Sequence, residues 1–476
     1  MFLPDQTRQQ AVFDRLRQGI LSGTLPANAR LPPTRAFAEE LGVARQTVVL
    51  AYERLAAEGY VRAKTGSGTF VAADLPDAAP PPASLPQAGT ARLSRRGTTV
   101  TAVPATARPA DRSRPGLLAA GVPAPELFPT QAWARCAARA LAGPGGLAGE
   151  LASYPDPQGL PALRAQIAAH LAATRGLLAE PDQIVVTAGT QQALRLAAEL
   201  LLDPGETAWV EDPGYIAGRG ALIAAGAEPV AVPSDAEGLD VAAGIRLAPE
   251  ARLALVAPSH ATPLGGALPI GRRLALLDWA ARAQAWIVED DCDSEFRWEG
   301  RPLPPLATLD RGGRVIYCGT FSKTLAPALR LGFAVMPAAL AGPFVRLRTL
   351  GDRGTDAFGQ AMLAAFMAQG LLGPHIRRMR TEYAHRRTAL LAALSRFCPG
   401  LAPIPTPGGL HLVLRLPSSL NEAGIARAAQ ARGLGVASLA AYYLGPPRMS
   451  GLVVGFASTP CPRAGEAARA LSTVLR

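Results

Sequence analysis

Lysine is scarce in this chain, and one of the lysines stands where an amine can do chemistry. Of the 48 basic residues, only Lys64 and Lys323 are lysines. Arginine stays protonated at physiological pH, whereas lysine can act as a nucleophilic amine. Lys323 follows the apolar stretch 315–317 (VIY) and has hydroxyl residues on both sides. A Schiff base with pyridoxal phosphate needs a lysine of this kind at a strand end; the alternative is an ordinary loop lysine.

A second set of residues could complete a site for this cofactor. Asp290 follows the strand pattern at 286–288 (WIV), where a carboxylate would pair with the pyridine nitrogen and keep the ring electron-withdrawing. Residues 187–192 (TAGTQQ) follow another strand pattern and open a helix, whose positive end would meet the phosphate. The remaining candidates are Gly189 and Thr190 in that turn, the hydroxyls of Thr320 and Ser322, the charge of Arg330, and the ring of Tyr215 for stacking.

Each of these candidates also has an ordinary structural interpretation. An aspartate after a strand is commonly a turn or cap residue, and a glycine–threonine helix start is often only a cap. A tyrosine after proline and glycine commonly packs in the core. Their number and their order along the chain predict one pyridoxal phosphate site.

Residues 6–73 predict a separate, compact domain. Apolar residues recur at four-residue spacing in its first segment, which indicates an amphipathic helix. The pattern predicts helices at 8–21, at 34–41 and from 45 onward, and then a hairpin over 60–71. Thr34 is the expected cap of the second helix, and Gly42 follows its end. This order is that of a winged helix-turn-helix domain.

The helix that starts at Arg45 would enter the major groove of DNA with its first turn. The groups expected to reach bases or phosphates are Arg35, Arg45, Gln46, Thr47 and, with Arg62 in the hairpin, Lys64. The alternative is a solvated face in an arginine-rich protein. A net charge of +11 is compatible with double-stranded DNA as a partner.

The composition changes beyond residue 73. Residues 74–116 are rich in proline, alanine and arginine without a sustained apolar period, which predicts an extended linker; the alternative is an irregular, docked segment. From 117 to 476, helical patterns alternate with short apolar strands. This alternation predicts an α/β fold with a mostly parallel sheet.

Composition also argues against several classes of protein. The five cysteines lie far apart, and neither they nor the five histidines have metal-ligand spacing, so we expect no metal site and no disulfide framework. No apolar run reaches membrane-spanning length, and residues 1–10 are polar. We therefore expect a cytoplasmic protein without a membrane partner.

Three motifs in residues 6–73 resemble the winged-helix domain of GntR-family regulators. They are residues 30–35 (RLPPTR), 41–48 (LGVARQTV) and 66–71 (GSGTFV). The resemblance implies a DNA-contacting set made of Arg35, Arg45, Gln46, Thr47 and the wing glycine Gly68.

The chain from about residue 117 onward resembles fold-type I aminotransferases. The supporting stretches are 154–159 (YPDPQG), 190–193 (TQQA), 211–215 (EDPGY), 258–260 (PSH), 290–296 (DDCDSEF) and 319–323 (GTFSK). With the GntR-like head, the whole chain resembles a MocR-type regulator. The resemblance implies transcription control that responds to pyridoxal phosphate, and in some cases to an amine or amino acid that forms an aldimine at Lys323. It also implies a homodimer in which each head docks on the large domain of its partner, head to tail.

Three places depart from the family pattern. Cys292 stands where the family has a tyrosine that bonds the ring oxygen of the cofactor, and a thiol is a much weaker donor. Thr262 stands where aminotransferases have an asparagine. Residues 451–456 (GLVVGF) lack the carboxylate-binding arginine; Arg448 is a candidate substitute, with solvated surface as the alternative. These losses favour sensing over turnover.

Three hypotheses about function follow. The leading hypothesis is a DNA-binding transcription regulator whose large domain binds pyridoxal phosphate. The second is an active aminotransferase with an accessory DNA-binding head. The third is a degenerate domain that serves only for dimerisation, which the intact Lys323, Asp290, Tyr215 and Arg330 oppose.

Overall fold

The computed structural model of the 476-residue chain describes residues 8–64, 66–75, 92–103, 116–142, 154–300 and 303–475. The chain divides into two compact units, Met1–Arg92 and Leu93–Arg476. Most of the segment predicted as a linker, residues 76–91 and 104–115, lies outside the described residues.

The N-terminal unit packs helices against a hairpin. Its elements are α1 (Arg8–Leu21), α2 (Thr34–Leu41), α3 (Arg45–Ala57), β1 (Val61–Lys64) and β2 (Gly68–Val71). The two strands pair antiparallel. Val12, Leu16 and Ile20 form the apolar stripe of α1 and share one core with Val48 and Leu55 of α3. The predicted winged helix-turn-helix order is confirmed.

Helix α2 has the predicted bounds but not the predicted cap. Thr34 is the first residue of the helix, and the preceding Pro33 makes no side-chain cap bond. The fixed φ of Pro33 directs the chain into the helix without such a bond. Gly42 ends the helix with a φ of 62°, a left-handed conformation that glycine adopts without a Cβ penalty.

The second unit contains two sheets surrounded by helices. The helices are α4 (Arg95–Ala102), α5 (Thr130–Ala142), α6 (Pro161–Arg175), α7 (Thr190–Leu201), α8 (Ile216–Ala225), α9 (Val241–Leu247), α10 (Ile270–Arg282), α11 (Ala338–Gly351), α12 (Ala357–Ala368), α13 (Leu372–Phe397), α14 (Glu422–Ala431) and α15 (Ala464–Ser472). The strands of the larger sheet are β3 (Ile184–Thr187), β4 (Thr207–Asp212), β5 (Glu228–Asp235), β6 (Gly238–Leu239), β7 (Leu253–Val256), β8 (Trp286–Asp291), β9 (Val315–Thr320) and β10 (Gly332–Val335). Those of the smaller sheet are β11 (Ala402–Pro403), β12 (His411–Arg415), β13 (Ala437–Ser438) and β14 (Gly451–Gly455).

The larger sheet is mostly parallel. Its strand order is β3-β10-β9-β8-β7-β4-β5-β6. The strands from β9 to β5 in this order run parallel, whereas β10 is antiparallel to β9 and β3, and β6 is antiparallel to β5. Every residue of β3 and β7 is buried, as expected for a sheet with helices on both faces. The predicted fold class is confirmed.

The smaller sheet is antiparallel and contacts the loop that leads into the large domain. Its order is β11-β12-β14-β13, and its core is shared with α13 and α15. Leu117 forms a parallel bridge with Leu434, and the amide of Gly455 donates a 2.8 Å hydrogen bond to the carbonyl of Leu118. The loop 116–121 is thereby held against the end of β14.

Part of the predicted linker is a docked helix rather than an extended segment. Helix α4 is capped by Ser94, whose hydroxyl accepts from the amide of Gly97, and it packs against α8. Its partly buried positions Gly97 and Val100 share one face with Val103, which lies close to Gly220 of α8. The expectation of an extended chain is wrong for these residues, because a stripe of only a few positions suffices to dock a short helix on a neighbour.

Candidate cofactor and DNA-binding sites

Two parallel strands bring the predicted cofactor residues to one edge of the large sheet. Strands β8 and β9 lie side by side, and Asp290 is in register with Cys318. Lys323 follows the end of β9 after a short turn. The amine and the carboxylate therefore start from the same end of neighbouring strands, the end at which α/β proteins bind ligands.

Lys323 is partly buried beneath the loop 116–121. Its Nζ donates a 2.5 Å hydrogen bond to the carbonyl oxygen of Gly121. Gly121 has a φ of 68°, and a Cβ at this position would lie 2.9 Å from the same Nζ. Gly121 is therefore a site residue that the sequence did not indicate, since no motif surrounds it and it precedes Lys323 by 202 positions.

Asp290 is a buried carboxylate with an unused hydrogen-bonding atom. Only 7% of the residue is exposed, and Oδ1 has no hydrogen-bond partner among the described residues. Burial, followed by the charges of Asp291 and Asp293, raises the pKa of Asp290 to about 7, and the ammonium of Lys323 opposes this rise. An unsatisfied buried acceptor is costly, so this oxygen fits a donor that a ligand supplies, such as a protonated ring nitrogen.

Arg330 and the start of α7 form a cradle for an anion. The Nη2 of Arg330 donates a 2.6 Å hydrogen bond to the carbonyl of Ala188. Gly189 precedes α7 with a φ of 89°, and a Cβ there would lie 3.2 Å from both terminal guanidinium nitrogens. The positive end of the helix and the guanidinium charge thus face the same point, which suits a phosphate.

Three hydroxyl groups lie near this cradle, and they differ in their hydrogen bonding. Thr190 Oγ1 is buried and has no hydrogen-bond partner among the described residues, so it can donate to a ligand. Thr320 Oγ1 lies 3.0 Å from Ser322 Oγ and accepts a 3.1 Å hydrogen bond from the amide of Ser322. Thr320 and Ser322 therefore stabilise the turn that carries Lys323, and direct phosphate contact by them remains a prediction.

Tyr215 and Cys292 both interact electrostatically with the Asp290 carboxylate. The ring of Tyr215 lies over Gly218, where a Cβ would come within 2.8 Å of it. Tyr215 keeps 36% of its surface exposed, and desolvation of the enclosed part of the side chain, followed by the Asp290 carboxylate, raises the pKa of its phenol. Burial also raises the pKa of the Cys292 thiol well above its ordinary value, so this group stays protonated. The structure therefore brings the predicted ring-stacking residue and the unusual cysteine to the carboxylate.

A buried histidine–aspartate pair beside the site was not predicted. Nδ1 of His260 lies 3.2 Å from Oδ1 of Asp293. Burial alone would raise the pKa of Asp293, but the charge of His260 reverses this and lowers it to about 2. Burial and the charge of His260 lower the pKa of the nearby His411 to about 4, so His411 is neutral. These residues come from three separate segments, which is why no spacing revealed them.

A second buried ion pair fixes the end of β8. Nη2 of Arg175 lies 2.7 Å from Oδ2 of Asp291, and the Tyr317 hydroxyl donates a 2.5 Å hydrogen bond to the same oxygen. Both partners of the ion pair are buried, so removing either would leave an uncompensated charge. The pair links the end of α6 to β8 next to Asp290.

Arg448 is held by partners of its own. Its Nη2 contacts the backbone carbonyl of Asp212 and lies 3.4 Å from the Asp212 carboxylate. Its guanidinium also lies 5.8 Å from the centre of the Tyr443 ring. Arg448 therefore fastens the segment before β14 to the turn before Tyr215, and it is not a free carboxylate-binding group.

The predicted DNA-contacting residues of the N-terminal unit lie at its surface. Arg35, Arg45 and Gln46 are exposed, and Thr47 is half-buried in the first turn of α3. Exposed side chains at the start of a helix that follows a tight turn suit insertion into a major groove. Direct DNA contact by these residues remains a prediction.

The hairpin presents a second group of exposed residues. Lys64 and Gly68 are exposed and are Cα partners in the β1–β2 ladder. The Lys64 ammonium lies 5.5 Å from the centre of the Phe70 ring. Gly68 has a φ of 115°, and a Cβ there would come within 2.9 Å of Arg30 Nε. The wing thus places positive charge beside a position that favours glycine, both for its backbone conformation and for the space around it.

The described part of the chain shows neither membrane-spanning nor metal-binding features. None of its helices is long and apolar enough to cross a membrane. Within the same residues, no group of three or more histidines, cysteines, aspartates or glutamates could hold a metal ion.

Two family descriptions match the chain. Aminotransferase class I and II matches residues 117–447, and the gntR family of bacterial regulatory proteins matches residues 8–71. The two matches cover different parts of the chain in the order that the motifs predict.

Two bacterial regulatory proteins are similar to this chain over nearly its whole length. The probable rhizopine catabolism regulatory protein MocR of Rhizobium meliloti is 40% identical over 95% of this chain and 90% of its own length. The pyridoxine biosynthesis transcriptional regulator PdxR of Corynebacterium glutamicum is 35% identical over 94% of this chain and 91% of its own. Among solved structures, the α-aminoadipate aminotransferase LysN of Thermus thermophilus, complexed with N-(5'-phosphopyridoxyl)-L-leucine, is 29% identical. It has a TM-score of 0.68 and covers 75% of this chain and 91% of that one.

Proposed function

Because the chain belongs to the MocR-type regulators, which join a GntR-type DNA-binding domain to an aminotransferase class I and II domain, we propose that it is a DNA-binding transcription regulator that senses pyridoxal phosphate at Lys323. The observation that carries this proposal is the buried Oδ1 of Asp290, which has no hydrogen-bond partner in the described part of the chain and whose carboxylate interacts electrostatically with Lys323. A decayed domain kept only for dimerisation would have no reason to bury such an atom.

The residues of the site divide the work of holding the cofactor. Lys323 would bind it covalently, Asp290 would accept from its ring nitrogen, and Tyr215 would stack on its ring. Arg330 and the start of α7 at Gly189 and Thr190 would hold its phosphate. When bound, pyridoxal phosphate supplies an electrophilic carbonyl and an electron-withdrawing ring, which is the chemistry that recognises a primary amine.

The amine of Lys323 already has a hydrogen-bond partner in the backbone. Its Nζ donates to the carbonyl of Gly121. To bind the cofactor covalently, Lys323 would have to give up this hydrogen bond to Gly121. The loop 116–121 is also anchored to Gly455 at the end of β14, so it contacts both Lys323 and the smaller sheet.

A regulatory role is favoured over steady transamination. The relatives similar over nearly the whole chain carry the names of regulators. Arg448 is tied to Asp212, and Cys292 is a protonated thiol where a stronger donor would tune the cofactor. The alternative, an active aminotransferase with a DNA-binding head, rests on the likeness of the large domain to enzymes such as LysN.

The assembly and location follow from the same proposal. We expect a homodimer, arranged head to tail, in which two winged domains bind two half-sites of an operator in double-stranded DNA. The bacterial cytoplasm, where the chromosome lies, is the expected location. An amine or amino acid is the expected effector in addition to pyridoxal phosphate.

A competition experiment tests the regulatory proposal. The full chain is bound to a labelled DNA fragment from upstream of its own gene, against random competitor DNA, with and without pyridoxal phosphate. We expect preference for the upstream fragment, a steep loss of affinity with salt, and a change when the cofactor is added. Equal binding to both DNAs with and without cofactor would contradict the proposal.

A further inference from the structure

We propose that Arg30 binds in the minor groove of DNA from the wing of the N-terminal unit, and that the operator is A·T-rich at that place. The wing is the hairpin of β1 and β2 together with residues 29–31. The inference rests on the proposed function, since it concerns how the DNA-binding unit recognises its operator. It adds a residue outside the hairpin to the predicted DNA-contacting set and assigns a base composition to one part of the operator.

Residues 29–31 extend the hairpin by a third short segment. Backbone hydrogen bonds of 2.8 Å and 2.9 Å join residues 31 and 29 to β2. Between these two bonds, Arg30 forms an antiparallel bridge with Phe70. Arg30 therefore belongs to the wing, although α2 and α3 separate it from the hairpin in the sequence.

Alternation along the strands places three cationic residues on the outer face of the wing. Successive residues of a strand point to opposite faces, and directly paired residues point to the same face. The pair Val61–Val71 is buried in the core of the unit. The outer face is therefore the side of Arg62, of Lys64 two residues later, and of Arg30, whose partner in β2 is the residue before Val71. These three cationic residues are exposed.

The guanidinium of Arg30 lies on the backbone near the tip of the wing. A Cβ at Gly68 would lie 2.9 Å from Nε and 3.3 Å from Nη2 of Arg30. Gly68 is the Cα partner of Lys64 at the last pair before the turn. The side chain of Arg30 therefore reaches toward the tip, and the lack of a side chain at Gly68 leaves the room that it needs.

The positive charges of this face are not neutralised within the described residues. Neither Arg30 nor Arg62 nor Lys64 forms a salt bridge or a side-chain hydrogen bond with a described residue. The salt bridge in the described part of this unit joins Arg54 to Glu58 of α3 and its C-terminal cap. A group of exposed cations without acidic partners attracts a polyanion such as DNA.

The position of Arg30 relative to α3 is fixed by the residues that follow it. Leu31 is buried in the core that α3 shares. The Tyr52 hydroxyl of α3 donates a 2.8 Å hydrogen bond to the carbonyl of Pro32. With the first turn of α3 in the major groove, we expect the tip of the wing at the neighbouring minor groove.

An arginine in the minor groove favours A·T pairs. A·T-rich DNA has a narrow minor groove whose enhanced negative potential attracts arginine, whereas a G·C pair places an amino group in that groove. A guanidinium is also more weakly hydrated than an ammonium, so it loses less hydration on entering a groove. Arg30 would thus contribute sequence preference, while Arg62 and Lys64 would add attraction to phosphates.

Hydroxyl-radical footprinting of the full chain locates the contact. The probe is the upstream DNA fragment of the competition experiment, and the reagent attacks sugars from the minor groove. We expect wild type to protect a minor-groove stretch that is A·T-rich, next to the major-groove site. The absence of such protection, or protection of a G·C-rich stretch, would overturn the inference.

Base substitution in the protected stretch tests the reading of the groove with wild type alone. Its A·T pairs are replaced by G·C or by hypoxanthine·cytosine, which has the major-groove pattern of G·C but lacks the minor-groove amino group. We expect the affinity, measured by fluorescence anisotropy, to fall about tenfold or more with G·C and less than about threefold with hypoxanthine·cytosine. Equal losses would mean that the bases are read in the major groove, which would overturn the inference.

A variant assigns the preference to Arg30. Arg30→Ala should bind the A·T and G·C forms of the fragment with nearly equal affinity. The control is Arg15→Ala, at an exposed arginine of α1, which removes the same charge. It should keep the wild-type ratio between the two forms, because loss of a phosphate contact weakens all sequences alike. A wild-type ratio in Arg30→Ala, or an equal loss of the ratio in Arg15→Ala, would contradict the role of Arg30.

The outcomes separate this inference from the proposed function. If the upstream fragment does not outcompete random DNA, the proposed function itself fails. If the fragment is bound specifically but shows no Arg30-dependent preference for A·T pairs, only the inference about Arg30 is overturned.

Discussion

The guanidinium of Arg330 packs directly on the backbone of Gly189. A Cβ at Gly189 would lie 3.2 Å from each terminal nitrogen of Arg330, at a position whose φ is 89°. The absence of a side chain at Gly189 is therefore what brings the arginine and the first amides of α7 to one point. This relationship builds the cradle that we propose for the phosphate of the cofactor.

Gly189→Ala should weaken cofactor binding by displacing Arg330. We expect the affinity for pyridoxal phosphate to fall by about tenfold or more, since a charge-assisted bond to phosphate is weakened. The measurement is a titration followed by visible absorbance. Gly205→Ala is a matched control, because Gly205 has a φ of 94° but open space around its Cβ position. Equal losses in both variants would assign the effect to backbone strain alone.

Asp290→Asn should increase the stability of the cofactor-free protein and weaken cofactor binding. Burial raises the pKa of Asp290 from its ordinary 3.8 to about 7. The folded state therefore binds this proton more tightly than the unfolded chain, and the associated stability is lost as pH rises through about 7. Without cofactor, the free energy of unfolding of the variant should exceed that of wild type by roughly 1–3 kcal/mol above about pH 7. Below pH 3.8, where Asp290 is protonated in both states, the difference should be small.

The same variant should bind pyridoxal phosphate more weakly, because a neutral amide replaces the carboxylate opposite the ring nitrogen. Thermal unfolding across pH, with and without cofactor, measures both effects. Asp278→Asn on the surface of α10 is the control. If the variant is less stable than wild type at high pH without cofactor, the ionised Asp290 carboxylate does not destabilise the folded protein.

Cys292→Ser should tighten cofactor binding. A hydroxyl is a stronger donor than a thiol, and the raised pKa of Cys292 keeps that thiol neutral. One neutral hydrogen bond corresponds to a gain of about two- to tenfold in affinity. The control is Cys461→Ser, at a half-buried cysteine in another part of the chain, which should leave the affinity for the cofactor unchanged. Unchanged affinity in Cys292→Ser would mean that the ring oxygen of the cofactor is held elsewhere.

Arg45→Ala should weaken operator binding. Arg45 is exposed at the first position of α3, where a long cationic side chain reaches base edges or phosphates. Loss of such a contact costs about 1–3 kcal/mol, which corresponds to a loss of about 5- to 150-fold in affinity. Fluorescence anisotropy on the upstream fragment measures this loss. The exposed Arg282 of α10 provides the control, Arg282→Ala, and an equal loss there would point to a general charge effect.

Much of the fold could be predicted because local patterns and global packing agree. The apolar strands that lead to Asp290 and toward Lys323 are continuous buried runs, and parallel strands place their carboxyl ends together. The helices of the winged domain follow from a four-residue apolar spacing that the core of that domain requires.

The parts that could not be predicted depend on contacts between distant segments. Gly121 reaches Lys323 only because its loop is pinned to β14, and His260 meets Asp293 across two loops. The partner of Arg448 lies 236 positions away in the chain. Helix α4 was missed because its amphipathic stripe is too short to stand out in an arginine- and alanine-rich segment. No periodicity encodes such contacts.

Covalent binding of pyridoxal phosphate by Lys323 is directly testable, because the chain has only one other lysine, Lys64. Full-length wild type, Lys323→Ala and Lys64→Ala are titrated with pyridoxal phosphate while the visible absorbance is recorded. We predict a saturable band in wild type and Lys64→Ala that is absent in Lys323→Ala. A band that persists without Lys323, or that fails to form in wild type, would contradict the account.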